Sequence, residues 1–242
     1  LTAGDIGSLL RKGLREAMIL PVLCGSATAV KGVAEVLDFI FSFMPVTAEL
    51  PACVGRDPEG NDISRERKVD APLSGRIVKT ISDPFIGRLS YLKVISGRLT
   101  ANSSVLNATR NGKERIGQIL RLQGKRQDQA GEALPGDVVA VAKLSNSGTF
   151  DTFCDPAHPI IYPVPVIPEA AVSYAIIPKV KGTEDKLGNA LGRIVEEDPS
   201  IKVYRDNETG ETILSGMGDV HLDVTISKFK NRFGVDVEKG IP

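Results

Sequence analysis

The C-terminal stretch of this chain changes hydrophobic period in an order that few small folds accept. Val172–Ile177 is an almost unbroken apolar run. Leu187, Ala190, Leu191, Ile194 and Val195 then fall on one helical face, and Asp198-Pro199-Ser200 stops it. Val203 and Ile213-Leu214 frame a hairpin that turns at Asn207–Gly210. The next stretch supports two readings: Val220, Leu222, Val224 and Ile226 alternate like a strand, whereas Leu222, Ile226, Phe229 and Phe233 fit a helix. Strand–helix–strand–strand–helix is the order of a ferredoxin-like sandwich, so topology favours the helix.

Upstream, from Pro72, the texture is β. Ile77, Val78 and Ile81 lead to a turn at Asp83-Pro84, and Leu89–Ile95 runs to Gly97. Val105-Leu106 precedes Asn111-Gly112, a strong hairpin signal, and Arg115–Leu122 follows. Pro135-Gly136 turns into Asp137–Leu144. Short strands at regular turn spacing predict a small closed barrel. Prolines 159, 163, 165 and 168 mark an extended exit from it.

The first segment reads as helix, strand, helix. Ile6, Leu9, Leu10 and Leu14 have helical spacing, Ile19–Leu23 reads as a short buried strand, and Val33, Val36, Leu37 and Ile40 form a second stripe ended by Pro45. A strand that feeds a helix through the small residues Gly25-Ser26-Ala27 is a common ligand-binding position in α/β proteins. Residues 45–67 are rich in Pro, Gly and charge, a linker with a hairpin around Asp57-Pro58-Glu59-Gly60. The expected organisation is multi-domain α+β, with units at 1–67, 68–168 and 169–242. The chain opens on Leu1 in mid-pattern and stops at a Gly240-Ile241-Pro242 turn, so a piece of a longer protein is expected.

Charge narrows the function. The formal net charge is zero. Residues 76–126, however, hold eleven Lys and Arg against two Asp and Glu, a balance of +9, between flanks at −2 and −7. Arg110, Lys113, Arg115, Arg121, Lys125 and Arg126 cluster there with Glu114 as the opposing charge, a pattern suited to neutralising phosphates. Only Phe85 and Tyr91 interleave, which disfavours base stacking along a single strand and favours the shape and backbone of folded RNA. The three cysteines are scattered, without disulfide or zinc spacing, and no apolar stretch approaches the ~20 residues of a membrane helix. No acid–base pair, nucleophile dyad or metal set presents itself, and His221 and Asp223 are two apart, so a helix does not bring them face to face. The expectation is a cytoplasmic monomer in a reducing compartment, without a membrane partner.

The stretch LPVLCGSATAVKGVAEVLDFIFSFMP resembles the end of the GTP-binding domain of the elongation factor G family. DPFIGRLSYLKVISGRL, KERIGQIL and LPGDVVAV resemble its second domain, a translation-factor-type antiparallel β-barrel. KLGNALGRIVEEDPSIKVYRDNETGETILSGMGDVHLDV resembles its ferredoxin-like third domain, with Glu196-Glu197-Asp198-Pro199-Ser200, Glu208–Thr212 and Ser215–Gly218 at the expected spacing. The resemblance implies a remnant of an α/β GTP-binding domain, then barrel, then sandwich. It implies that Gly25, Ser26 and Ala27 descend from a loop that closes over guanine. It implies that the basic residues face small-subunit ribosomal RNA. It also implies that Gly216, Met217, Gly218 and His221 belong to an interdomain relay against the GTP-binding domain and a ribosomal protein.

GTP and Mg are the cofactors implied for the whole parent. No G-x-x-x-x-G-K-[ST] occurs in these 242 residues, so this piece is expected to hold neither and to be inactive as a GTPase. Asp219 is placed to cap a helix, and Met217 to pack under the turn before it. Two landmarks depart from the family pattern: Phe150-Asp151-Thr152-Phe153 stands where Gly-Asp-Thr-Leu is usual, and Gly218–Asp223 where Gly-Glu-Leu-His-Leu-Glu is usual. The parent is expected to drive tRNA and mRNA translocation. The alternatives are a paralogous ribosomal GTPase for recycling, release or ribosome protection, and a stand-alone RNA-binding module.

Overall fold

The computed structural model describes residues 2–83, 87–124 and 126–240. The expected turn at Pro84, and the readings of Phe85 and Lys125, lie outside the described residues, as do Leu1 and Ile241-Pro242.

Helix α1 (Ala3–Arg15) begins with a capping box in which Thr2 and Asp5 satisfy each other's backbone N–H groups. Helix α2 (Val33–Phe43) starts after Gly32, which takes φ 77°. An Arg11 guanidinium joins the two by donating to the Ser42 carbonyl at 2.5 Å. The strand expected at Ile19–Leu23 does not form. A strand needs a neighbour for its backbone groups, and the described elements of this segment are helices. Leu20 and Val22 stay 87% and 83% exposed. The stripe on α2 is helical as its spacing predicts, but it buries none of its residues.

Strands β1 (Cys53–Arg56) and β2 (Asp62–Arg65) pair as the expected hairpin, with Gly60 at φ 91° in its turn. The barrel is built from β3 (Ser74–Asp83), β4 (Gly87–Ser96), β5 (Leu99–Thr100), β6 (Ser104–Asn107), β7 (Gly112–Arg115), β8 (Ile119–Gln123), β9 (Arg126–Ala130), β10 (Glu132–Ala133), β11 (Val138–Ala142) and β12 (Thr152–Cys154). Eight of these run in the order β7-β6-β12-β3-β4-β11-β8-β9, all antiparallel, and β5 pairs with β10. Register shifts at Ser74/Gly75 and Ile77/Lys79 bend the long β3–β4 pair. The sheet curls around Ile77, Leu92, Val105, Ile119, Val141 and Phe153. Asn111, at φ 49°, turns the β6–β7 hairpin as its sequence predicts. The end strands β7 and β9 are not paired with each other among the described residues, so the ladder is not continuous around the expected closed barrel.

The third unit contains β13 (Val172–Pro178), α3 (Glu184–Glu197), β14 (Lys202–Arg205), β15 (Thr212–Gly216), α4 (Asp219–Phe233) and β16 (Val237–Gly240). Its sheet order, β14-β15-β13-β16, is that of an antiparallel ferredoxin-like sandwich. The ambiguous stretch is a helix. Leu222, Thr225 and Phe229 are its buried side, packed with Leu187, Leu191 and Ile194 of α3. Gly234, at φ 66°, ends α4 in a left-handed cap.

Candidate functional site

Ser26 and Lys31 exchange backbone hydrogen bonds of 2.9 and 3.0 Å, closing a tight turn over Ala27–Val30. Glycine is required on both flanks. A Cβ on Gly25 would lie 2.9 Å from the Lys31 carbonyl, and one on Gly32 2.8 Å from the Cys24 carbonyl. Gly25, Ser26 and Ala27 line a pocket of about 210 Å³ against Val33, Val36 and Leu37 of α2. The pocket is open and mostly apolar, and Ser26's N–H already donates to Lys31. Among the described residues, no group of three or more His, Cys, Asp and Glu is arranged to hold a metal ion.

The structure divides the basic cluster. Arg110 stays exposed but is tied down: its Nε donates to the buried Asp151 at 2.6 Å, and that carboxylate also accepts from Asn107 and the Gly148 N–H. Glu114 is not an opposing surface charge. It is 4% exposed and accepts from the Ser145 and Asn146 N–H groups and the Ser147 hydroxyl at 3.1, 2.6 and 2.6 Å. Burial pushes its carboxyl up, but those three donors outweigh burial and hold it below the usual range. Lys113 and Arg115 flank Glu114 on β7 and point to solvent, because alternate strand residues face opposite sides. Arg121 pairs with Asp137 at 3.3 Å and Arg126 with Asp128 at 2.8 Å, both exposed pairs that add little stability. Arg115 lies across the groove from Gln127 and Gln129 of β9, with Lys143 at its rim. Arg115 reaches this groove through the short 116–118 connection into β8, and Gln127 and Gln129 reach it through the pairing of β9 with β8.

In the third unit, the β15–α4 turn is organised by His221. Its Nδ1 accepts from the Met217 N–H at 3.1 Å, so the neutral ring carries its proton on Nε2, which donates to Asp198 at 3.1 Å. Asp198 also accepts from the Ser200 N–H and hydroxyl. Burial pushes this carboxyl up, but the Ser200 and His221 bonds hold it low. Gly216 leaves room for this arrangement: a Cβ there would lie 2.8 Å from Leu222 and 3.0 Å from the His221 ring. Two expectations are corrected. Gly218 occupies the N-cap without a side-chain cap, and Asp219 instead accepts from the Tyr174 hydroxyl at 2.5 Å. Met217 stays 44% exposed, because Leu222 and His221 fill the space under the turn.

Asp198 is the last of three consecutive carboxylates at the C-terminus of α3, where the helix dipole disfavours negative charge. Each has a different partner. Glu196 lies 3.8 Å from Arg88 of the barrel, and its carbonyl accepts from Thr149 at 3.2 Å. Glu197 accepts two bonds of 2.8 Å from Arg232 of α4 and one of 2.7 Å from the Ser82 N–H of β3. Burial pushes the Glu197 carboxyl up, and Arg232 and Ser82 bring it below the usual range. The same acidic run thus holds the barrel on one side and the Met217 turn on the other. Its order in sequence was visible, but its partners lie on distant elements.

Residues 72–156 match a family model described as elongation factor G domain 2, and residues 167–241 match one described as elongation factor G, domain III. Together they take in about two thirds of the chain. The whole chain superposes on a crystal structure of a protein from Thermus thermophilus with a TM-score of 0.81 and 28% identity, and covers 34% of that longer chain. The chain spans about a third of the solved relative it matches. With a curled antiparallel barrel followed by a ferredoxin-like sandwich in the matching order, this chain belongs to the elongation factor G family.

Proposed function

We propose that this chain docks a translational GTPase of the elongation factor G type on the small ribosomal subunit, by way of the basic flank of its barrel. The observation that carries the reading is the pair Lys113 and Arg115, both solvent-facing and without an ion-pair partner among the described residues. Paired cations contribute less to phosphate binding, because an existing partner must be given up. Arg121 and Arg126 extend the flank, and Arg110, paired with Asp151, lies at its edge. Residues 1–67 are read as the tail of a GTP-binding domain. The Gly25-Ser26-Ala27 pocket offers a surface to a purine base, whereas the 242 residues hold no loop for its phosphates. Catalysis, GTP and Mg therefore belong to the whole parent, a cytoplasmic monomer that promotes tRNA and mRNA translocation. The Met217 turn, braced by His221 and Asp198, is the relay surface toward the GTP-binding domain and a ribosomal protein.

One observation favours a paralogous role in recycling, release or ribosome protection. Phe150 stands at φ 75°, where an L side chain is strained, at the position the family pattern gives to glycine. Co-sedimentation tests docking. The protein is expected to pellet with purified small subunits and not with large ones, and Lys113→Ala/Arg115→Ala to remain in the supernatant. Equal pelleting of the two proteins would refute the reading.

A further inference from the structure

A groove over β8, β9 and the end of β11, reached by Arg115 at the end of β7, has a volume of about 570 Å³, within the range of ligand clefts. Its floor is apolar: Leu120 and Ala142 belong to the cluster that also contains Leu89 and Ala140. Gln118, Gln127 and Gln129 line its walls, and Arg115 and Lys143 supply two cations with no ion pair among the described residues. Among the described residues, no carboxylate lines it. Lys143 holds φ 59°, a left-handed conformation that glycine or asparagine would take at lower cost. Its backbone is fastened there by donating to the Arg88 carbonyl at 3.0 Å.

We propose that this groove captures one unpaired nucleotide of the RNA on which the barrel docks, with the phosphate on Arg115 and Lys143 and the base edge on the glutamine amides. The inference deepens the docking reading and rests on it. A carboxamide carries both donors and an acceptor, so three of them can match the edge of any base. The Leu120–Ala142 floor supplies apolar contact to the ring. A paired base cannot enter, because it is held in the stack with its Watson–Crick edge already occupied, whereas an unpaired base can be splayed out. The selectivity is therefore for an unpaired nucleotide, with little preference among bases.

The test uses two RNA hairpins of equal stem length, one fully paired and one with a single bulged nucleotide. Wild type is expected to bind the bulged hairpin about tenfold more tightly, the worth of one or two net hydrogen bonds. Gln127→Ala/Gln129→Ala removes exposed side chains and should erase the preference while keeping affinity for the paired hairpin. Arg115→Ala/Lys143→Asn, in which asparagine suits the left-handed position, should weaken both. Equal affinity of wild type for the two hairpins overturns the inference. So does failure of both hairpins to bind a protein that still pellets with small subunits. If subunit binding is absent too, it is the docking reading that fails.

Discussion

Removing the Glu197 carboxylate should loosen the barrel from the third unit without unfolding either. Glu197 is 8% exposed at its side chain, and Glu197→Ala deletes two bonds from Arg232 and one from the Ser82 N–H. Breaking a buried ion pair from one side costs about 3–5 kcal/mol. Arg232 is 32% exposed and keeps a bond to the Ser82 carbonyl, so water and that acceptor relieve part of the cost. Taking one carboxylate from the negative end of α3 returns about 0.3–1 kcal/mol. The net is about 2 kcal/mol, which should raise opening-limited exchange of the Ser82 amide about thirtyfold. Hydrogen exchange read by mass spectrometry or NMR resolves this, with the amides of β11 as an unaffected reference. Because the folded carboxyl is held low, its stabilisation is present above the ordinary glutamate range. It is lost as pH falls through the depressed folded value. If Ser82 protection is unchanged in Glu197→Ala while α4 amides open, the carboxylate braces only its own unit and the reasoning fails.

Glu114→Ala leaves three donors of the 145–147 loop without an acceptor and should cost about 3 kcal/mol in urea unfolding, with Ser145 and Asn146 amides losing protection first. The wild-type contribution should fade as pH falls below the glutamate range, since this carboxyl too is held low. Phe150→Gly should relieve about 1 kcal/mol of left-handed strain and raise the Tm read in a thermal melt by a few degrees. His221→Ala frees the Met217 N–H and should raise exchange at that amide about tenfold, with the buried α4 amides around Phe229 unchanged.

The elements legible in sequence are those whose signal is local. The α3 stripe, the Asn111 hairpin, the Gly60 turn and the strand–helix–strand–strand succession of the sandwich all follow from period and turn chemistry. The α4 ambiguity was resolved by topology, and β16, the short closing strand, escaped because Val237–Gly240 has one apolar residue facing the core. What failed depends on partners. Ile19–Leu23 has the composition of a buried strand and no strand to pair with among the described residues. Lys113-Glu114-Arg115 alternates correctly, but the inward position holds a charge, so its burial is visible only once the 145–147 loop supplies donors. Arg110 looks like its basic neighbours until Asp151 is placed beside it. Lys143 joins the groove through a backbone conformation that no composition reveals.

The central claim, that the barrel's basic flank docks on ribosomal RNA, is tested most directly by a salt titration of binding to small ribosomal subunits. Wild type should lose affinity linearly in log–log form. Lys113→Ala/Arg115→Ala should bind more weakly with a slope shallower by about two, one for each phosphate that no longer meets a cation. Parallel lines of equal slope would show that these cations touch no phosphate and would contradict the account.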